Sequence, residues 1–298
     1  PYDAPCIKDQ IEALQKLGAS IDILHIYRQK GKAAYIQAGF QILRLNFQRR
    51  RYDLIHAYYG HSGLIARLQL RYPLVVTFRG SDLLSRRDGI IGKPVAKLAD
   101  RIIVMSEEMK HVAKRSDASI IPFGVNLDLF YPRPVDKARR ELMLASDEKI
   151  ILFPWDPKRP EKRFDLVEDM IRIVREKHDR VRLIAIYGEP HTIVAKYMCA
   201  CDAMVLVSDH EGSPMAVREA MACNLPIIAV DAGDVRQIIS GVEGCYLCDR
   251  DVHDIAAKVE LVLSRGQRSD GFEKMKRLNA LWAAKQVFDI YSSVFQKR

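Results

Sequence analysis

Residues 202–230 read DAMVLVSDHEGSPMAVREAMACNLPIIAV. An apolar run ends near Ser208, a polar loop and a segment of helix-forming residues follow, and residues 227–230 form a second apolar run. Two short buried strands joined by a helix are the repeating unit of a parallel sheet. This stretch therefore predicts a strand–helix–strand unit.

The helix inside this unit has recognisable ends. Ser213 followed by Pro214 is typical of an N-cap and a first helical residue. Asn224 with Pro226 two residues later is typical of a left-handed helix end. The helix is therefore predicted to begin at Pro214 and to stop at Asn224.

The loop before the helix lies at the carboxyl end of a strand, where open α/β sheets bind ligands. The amides of Ser213, Met215 and Ala216 are predicted to be unpaired donors at a helix N-terminus, which suits a diphosphate. Glu211 in the loop could then reach a neutral polyol, and Glu219 inside the helix could accept from ribose hydroxyls. An ordinary helix start with two solvated glutamates is the alternative.

The same alternation extends along the chain, which indicates an α/β protein with parallel sheets. A polar, proline-containing segment at residues 126–146 precedes a fresh strand and marks a domain boundary. We expect domains at 1–134 and 135–280 and a terminal helix at 281–298 that packs back on the first domain. The predicted strands are 21–27, 54–57, 74–78, 101–105, 119–121, 149–154, 181–187, 203–207, 227–230 and 245–247.

The start of the chain suggests an incomplete first sheet. A predicted helix at 6–17 precedes the predicted strand 21–27, so the opening strand of a strand–helix–strand fold is missing from this sequence. The first residues contain neither an initiator Met nor a basic-then-apolar signal segment, so targeting is not readable from this end.

Composition excludes several classes of protein. With 298 residues, 48% of them hydrophobic, the chain is an ordinary globular protein of about two domains rather than a disordered or fibrous one. No apolar run approaches the roughly 20 residues that a membrane-spanning helix requires. The net charge of +9 lies entirely in residues 1–134, which carry 21 Lys and Arg against 12 Asp and Glu.

The six cysteines are expected to be free thiols in a reducing compartment. Cys245 and Cys248, with Cys199 and Cys201, could in principle supply four zinc ligands. Their apolar surroundings favour small buried side chains instead.

Five segments resemble the retaining GT-B glycosyltransferases of family 4. The spacing of Glu211 and Glu219 within the quoted stretch is the most specific. VVTFRGSDL at 75–83, IPFGVNLDLFYP at 121–132, DAGDVR at 231–236 and a terminal helix around 289–291 occur in the order typical of that family. Bacterial cell-surface polysaccharide transferases are the most similar members.

The resemblance implies two Rossmann-like domains facing across a cleft and a nucleoside-diphosphate sugar as donor. It implies that Glu211 orients the donor sugar and that Glu219 holds the ribose. The donor site would consist of Gly212, Ser213, Pro214, Met215, Ala216 and Glu219.

The family also has a basic pair after the first strand of its second domain, where this chain reads PWDPKRPEKRFD at 154–165. Lys162 aligns with the family's lysine. The arginine aligns only with a shift, so Arg159 is the first candidate and Lys158 the second. Cations there would stabilise the charge on a leaving diphosphate without a metal. A solvated basic loop is the alternative.

No metal or other cofactor is expected. The transferases that need a cation hold it with an Asp-x-Asp motif, and here that motif occurs as Asp249-Arg-Asp251 ahead of a predicted helix, where acidic residues are common.

Resemblance places Tyr59, Ser62, Arg79 and Asp82 on the acceptor side. Arg79 stands where the family usually has His, which favours an anionic acceptor over proton handling. His56, inside a predicted strand, is interpreted as a packed histidine rather than a site residue.

Residues 36–51 combine apolar residues at helical spacing with an arginine cluster. This pattern is typical of docking on anionic lipid and equally of an amphipathic core helix. Nucleic-acid binding is not expected, because no binding motif accompanies the charge.

The implied function is transfer of a hexose from a nucleotide sugar to a glycan or lipid-linked acceptor, with retention of configuration. The protein would act in the cytoplasm, as a peripheral protein on the inner face of the membrane. An epimerase of the same fold and a non-catalytic nucleotide-sugar scaffold remain as alternatives.

Overall fold

The structure is a computed structural model that describes residues 4–27, 31–49 and 51–295. These residues form two compact units. The first contains the described residues up to Gly124 and those from Ala280 onward, and the second is Val125–Asn279. Both units are α/β with parallel sheets, so the predicted fold class is confirmed.

The described residues of the first unit form a four-stranded sheet in the order β1-β2-β3-β4, with every pair parallel. Its elements are α1 (Pro5–Lys16), α2 (Gly31–Arg44), β1 (Ile55–Tyr58), α3 (Gly60–Ala66), β2 (Leu74–Thr77), α4 (Ser81–Leu84), α5 (Gly89–Leu98), β3 (Arg101–Val104), α6 (Glu107–Ala113), β4 (Ser119–Ile120) and, from the end of the chain, α14 (Ala280–Phe295).

The second unit has a five-stranded parallel sheet in the order β6-β5-β7-β8-β9. Its elements are α7 (Val135–Glu141), β5 (Lys149–Phe153), a 3₁₀ turn (Pro160–Lys162), α8 (Phe164–Arg175), β6 (Val181–Ala185), α9 (His191–Ala200), β7 (Ala203–Leu206), α10 (Met215–Ala222), β8 (Ile227–Val230), α11 (Val235–Ile239), β9 (Cys245–Cys248), α12 (Val252–Arg265) and α13 (Gly271–Met275).

This strand order creates a switch point between β5 and β7. From β5 the chain moves outward to β6, then crosses back over β5 to β7 and continues in the other direction. The loops that follow β5 and β7 therefore leave the sheet side by side and run in opposite senses. Ligands of open α/β sheets bind in the crevice that such loops leave open.

The division between the units lies at Gly124 and Val125, ten residues before the predicted boundary at 134. Val125 and Phe130 are buried in the core of the second unit, and the Val125 amide donates to the Leu278 carbonyl at 3.2 Å. The predicted boundary rested on the prolines that follow these residues in the sequence. Burial of Val125 and Phe130 in the second unit instead places the division before them.

The predicted strand at 21–27 is wrong. These residues pair with no strand of the described sheet and have no regular secondary structure. Ile23 and Leu24 are each 41% exposed. An alternating apolar pattern forms a strand only where a neighbouring strand accepts its backbone hydrogen bonds.

The interpretation of His56 as a packed histidine is confirmed. Its Nδ1 lies 2.6 Å from the Tyr291 hydroxyl of α14, and its Nε2 lies 2.7 Å from the Thr77 hydroxyl. Burial lowers the pKa of His56 to about 3, so the ring is neutral near pH 7. This histidine ties α14 to the first sheet.

Candidate active site

Two loops of the second unit meet at the switch point. The loop after β5 contains the 3₁₀ turn Pro160–Lys162, and the loop after β7 runs from Ser208 to Pro214. The Asp209 amide donates to the Glu161 carbonyl at 2.9 Å and joins the two loops directly. The residues singled out on each loop therefore lie together, although about fifty positions separate them in the chain.

Lys162 and Glu211 form the centre of this site. The Lys162 ammonium donates to Glu211 Oε1, and only 6% and 12% of the two side chains are exposed. The ammonium also lies 4.9 Å from the centre of the Trp155 ring, within the range of a cation–π interaction. A nearly buried cation is thus held at the carboxyl end of the sheet with one counter-charge.

The helix α10 begins beside this pair, at Met215 rather than at the predicted Pro214. Pro214 is instead the N-cap residue, and it makes no side-chain capping bond. The amides of Met215 and Ala216 occupy the first helical positions, where no earlier carbonyl of the helix is available to them. An anion is favoured at such a helix start.

The prediction that Ser213 caps α10 is wrong. Its hydroxyl donates to Asp234 Oδ2 at 2.7 Å and accepts two bonds from the Arg218 guanidinium at 3.2 Å. A cap would require the Ser213 oxygen to accept from a backbone amide of α10, and that oxygen accepts from the Arg218 guanidinium instead. The predicted end of the helix is confirmed, because Asn224 adopts a positive φ of 54°.

Glu219 lies on α10 and is 6% exposed. The Nε2 of His191, the first residue of α9, is 4.0 Å from Glu219 Oε1. His191 also packs edge-to-face on Phe130, with ring centres 5.5 Å apart. Sequence reasoning missed His191, although the polar turn Gly188-Glu189-Pro190 that precedes it at the end of a strand was a usable signal.

The structure does not bring Arg159 to Glu211. Its guanidinium donates to Glu161 at 2.8 and 2.5 Å, and the side chain is 53% exposed. The second candidate, Lys158, is also exposed, and its backbone amide closes a turn on Asp156 at 2.9 Å. Lys162 is therefore the basic residue of this loop that contacts Glu211.

Two further residues hold the site and were not predicted to do so. Arg250 donates to the carbonyls of Ser208 at 2.9 Å and Asp209 at 2.8 Å, which fixes the loop after β7 from the side of β9. Gly233 lies so close to the same loop that a Cβ there would come 2.3 Å from the Gly212 carbonyl oxygen. Family resemblance identified the segment DAGDVR at 231–236, but nothing in its sequence indicates that Gly233 contacts the Gly212 backbone.

The predicted acceptor-side residues Tyr59, Ser62, Arg79 and Asp82 all lie in the first unit. The Tyr59 hydroxyl donates to Asp88 at 2.9 Å and is 3.1 Å from the Ser81 hydroxyl. Ser62 is half-buried on α3. The Arg79 guanidinium lies 5.7 Å from the centre of the Phe123 ring.

Asp82 does not face a ligand, because it has no exposed surface. Its carboxylate accepts from the backbone amides of Arg79 at 2.9 Å, Gly80 at 3.0 Å and Gly60 at 3.2 Å. Burial raises the pKa of Asp82 to about 6, although these three bonds favour the charged form. Asp82 therefore holds the loop after β2, and it does so from inside the protein.

Among the described residues, no group of three or more His, Cys, Asp or Glu side chains is arranged to hold a metal ion. The six cysteines are free thiols. Asp251 is the N-cap of α12 and accepts from the amides of His253 and Asp254 at 3.0 Å, as expected of an ordinary helix start. None of the described helices is both long and apolar enough to cross a bilayer.

Two α/β units with parallel sheets, the second with a switch point between β5 and β7, match the architecture of GT-B glycosyltransferase structures. Two family profiles match the chain: "Glycosyltransferase Family 4" over residues 18–129 and "Glycosyl transferases group 1" over residues 167–265. The chain belongs to the family 4-type glycosyltransferases.

Relatives and solved structures agree with this assignment. D-inositol 3-phosphate glycosyltransferase of Geodermatophilus obscurus is 26% identical over 72% of this chain and 60% of its own length. The putative teichuronic acid biosynthesis glycosyltransferase TuaC of Bacillus subtilis is 26% identical over 66% of this chain and 58% of its own. The chain thus matches about three fifths of the length of these two relatives.

The fold is also similar to that of Anabaena HepE, solved in complex with UDP and glucose. The two chains superpose with a TM-score of 0.71 at 16% identity, over 92% of this chain and 84% of HepE. This likeness establishes the GT-B fold.

Proposed function

We propose that this chain transfers a hexose from a nucleoside-diphosphate sugar to a glycan or lipid-linked acceptor, with retention of configuration and without a metal ion. One observation carries the proposal: the buried Lys162–Glu211 pair lies beside the N-terminus of α10 at the switch point of the second sheet. That arrangement offers a cation and helix amides to a leaving diphosphate and a carboxylate to a sugar.

In this proposal Lys162 neutralises the diphosphate and Glu211 orients the donor sugar. Glu219 holds the ribose from inside α10. Arg159 would have to leave Glu161 to assist Lys162, and its exposure permits such a movement. A leaving phosphate oxygen would take the proton of the acceptor hydroxyl as that hydroxyl oxygen bonds to the anomeric carbon and the sugar–phosphate bond breaks, so no protein base is required. No protein nucleophile is assigned in this proposal.

Similar proteins support the choice of substrates. HepE was solved with UDP and glucose, and TuaC is described as acting in teichuronic acid biosynthesis. The HepE complex supports a nucleotide-sugar donor for this chain, and the similarity to TuaC supports a role in cell-surface polysaccharide synthesis.

The test is a thermal-shift panel of UDP, GDP, ADP and dTDP with their common sugar conjugates. A ligand at about 100 times its Kd should add about 2.7 kcal/mol to the free energy of unfolding. The selected donor is then incubated with candidate acceptors, with and without EDTA, and nucleoside diphosphate release is measured. We expect acceptor-dependent release that EDTA does not change.

Other outcomes identify the alternatives. Conversion of the donor sugar without any acceptor would establish an epimerase. Donor binding with no release under any condition would favour a non-catalytic scaffold. Absence of a shift with every member of the panel would contradict a donor site in this chain.

We further propose that the first unit docks on an anionic membrane surface at the inner face of the membrane. The outward face of α2 and the turn after it exposes large apolar side chains: Ile36 is 61% exposed, Phe40 63% and Phe47 88%. Arg44 and Arg49 lie beside them on the same segment. The described residues leave this face uncovered, which favours docking over the core-helix alternative, and its charge is complementary to anionic lipid.

Sedimentation with vesicles tests this docking. The wild type should bind phosphatidylglycerol vesicles at least 10-fold more strongly than phosphatidylcholine vesicles, because each basic residue near the surface adds about 1 kcal/mol. Phe40→Ser/Phe47→Ser should lose most of this binding. The control Met143→Ser removes a side chain that is 93% exposed on the second unit, and it should bind as the wild type does. Equal binding by the wild type and the Phe40/Phe47 variant would overturn the proposal.

A further inference from the structure

A buried polar cluster lies directly behind the candidate donor loop. Arg218 is 2% exposed and is one of the largest fully buried side chains of the described residues. Its Nη2 donates to Asp234 Oδ2 at 2.6 Å, and its Nε and Nη2 each lie 3.2 Å from the Ser213 hydroxyl. Since Ser213 also donates to Asp234, the three side chains form a closed triangle.

The triangle joins three segments that surround the site. Ser213 ends the loop after β7, Arg218 lies one turn inside α10, and Asp234 precedes α11 on the loop after β8. Two of its members adjoin site residues in the sequence: Ser213 follows Gly212 in the loop and Arg218 precedes Glu219 in the helix. Any movement of the triangle would therefore move the backbone that presents the α10 amides.

Burying the polar atoms of this cluster costs free energy of folding. Arg218 Nη1 and Asp234 Oδ1 are buried and have no hydrogen-bond partner among the described residues. Burial raises the pKa of Asp234 although a guanidinium lies against it. A buried ion pair is often no more stabilising than apolar side chains of the same size, and in some proteins it is retained because it fixes one geometry. Fixed geometry is what a preformed anion site requires.

Direct contact of Arg218 with a ligand is excluded in this conformation by its burial. Its guanidinium is also directed to Ser213 and Asp234 rather than to solvent. Any effect of Arg218 on a bound ligand must therefore act through the loop that it holds.

We propose that Arg218 is a positioning residue: through Ser213 and Asp234 it holds the Gly212–Ser213 backbone in the conformation that directs the α10 N-terminal amides at the two phosphates of a nucleoside diphosphate. This inference rests on the proposed function and assigns the diphosphate specificity of that site to a residue that does not touch the ligand.

The experiment separates the phosphates from the rest of the nucleotide. The nucleoside diphosphate that stabilises the wild type most in the thermal-shift panel is chosen first. Calorimetry then measures two Kd values, one for this diphosphate and one for its nucleoside, for example UDP and uridine. The Kd of the nucleoside divided by that of the diphosphate reports what the phosphates contribute. Arg218→Met should lower this ratio at least 10-fold, mainly by weakening the binding of the diphosphate, since loss of a hydrogen bond to a charged group typically costs about a factor of ten or more.

A matched control exists in the same unit. Arg139 donates to Asp202 at 2.7 Å, its side chain is 7% exposed, and the pair lies outside the donor loop. Arg139→Met should lower the melting temperature but leave the Kd ratio within about twofold of the wild type. Ser213→Ala removes a single hydroxyl, and it should lower the ratio in the same direction as Arg218→Met even if the latter fails to fold.

The outcomes keep the two proposals apart. If the wild type binds no nucleoside diphosphate, the proposed function fails. If it binds one, but the Arg218 and Ser213 variants keep the wild-type ratio or weaken nucleoside and diphosphate equally, the cluster is only structural and the positioning role is overturned.

Discussion

Replacing Lys162 with methionine is expected to lower the rate of nucleoside diphosphate release by about 10²–10³-fold, the usual effect of removing one charge-stabilising donor from an active site. The Lys162 ammonium is nearly buried, and Glu211 is its counter-charge in the absence of ligand. A diphosphate that arrives at α10 adds a second anion, and the ammonium is the cation in place to neutralise it.

The same substitution should also destabilise the second unit. Lys162→Met leaves the Glu211 carboxylate buried without its cation, which typically costs about 3–5 kcal/mol. Adding Glu211→Gln removes that charge and should restore most of the free energy of unfolding. It should not restore turnover, because the cation for the leaving group is still missing and the carboxylate proposed to orient the donor sugar has been removed as well. Stability and activity are therefore expected to separate in the double variant.

The measurements are urea unfolding followed by Trp155 fluorescence and release of nucleoside diphosphate at saturating donor. Trp155 packs on the Lys162 ammonium, and the other tryptophan of the chain, Trp282, is replaced by Phe so that the signal reports on the second unit. Lys177→Met is the control: it breaks an exposed pair with Glu260, 2.8 Å long, and should change turnover less than twofold. Recovery of turnover in the Lys162/Glu211 double variant would show that Lys162 serves stability alone.

The strand–helix–strand unit around α10 was predictable because its signals are local. An apolar run of four residues, a proline at the helix start and an Asn–x–Pro at its end each act within a few positions. The positive φ of Asn224 follows from that chemistry. Residue spacing alone does not predict the pairing of Lys162 with Glu211. Family resemblance identifies both residues, and the strand order explains why they meet.

The wrong and missing site predictions concern polar side chains whose hydrogen-bond partners lie elsewhere in the sequence. The Ser213 oxygen had a local use as a cap that accepts from a backbone amide, but it accepts from Arg218 instead, and its proton goes to Asp234, twenty-one positions later. Asp82 resembles a solvent-facing loop carboxylate, yet three backbone amides enclose it. Arg218 was also missed, although a cation within the largely apolar stretch of α10 is a sequence signal for a buried partner.

Replacing Gly233 with alanine is expected to weaken donor binding at least 10-fold and to lower the free energy of unfolding by several kcal/mol. Gly233 has a φ of +63°, in which a Cβ costs about 1 kcal/mol. A Cβ there would also lie 2.3 Å from the Gly212 carbonyl oxygen and 2.9 Å from that of Glu211. Since both contacts are with backbone, no side-chain rotation can relieve them, and the loop after β7 must move.

A second glycine isolates the contact from the backbone strain. Gly266 ends α12 with a φ of +61°, and a Cβ there would meet nothing within 4 Å. Gly266→Ala should therefore lose only about 1 kcal/mol and bind the donor as the wild type does. The difference between the two variants measures the contact of Gly233 with the Glu211–Gly212 backbone. Calorimetry with the selected nucleoside diphosphate should then give at least a 10-fold higher Kd for Gly233→Ala, because misplacing site groups by about 1 Å can cost 10²-fold. Equal stability losses and unchanged donor affinity in both variants would mean that the loop after β7 tolerates displacement, and Glu211 and the α10 amides would then not need to be preformed.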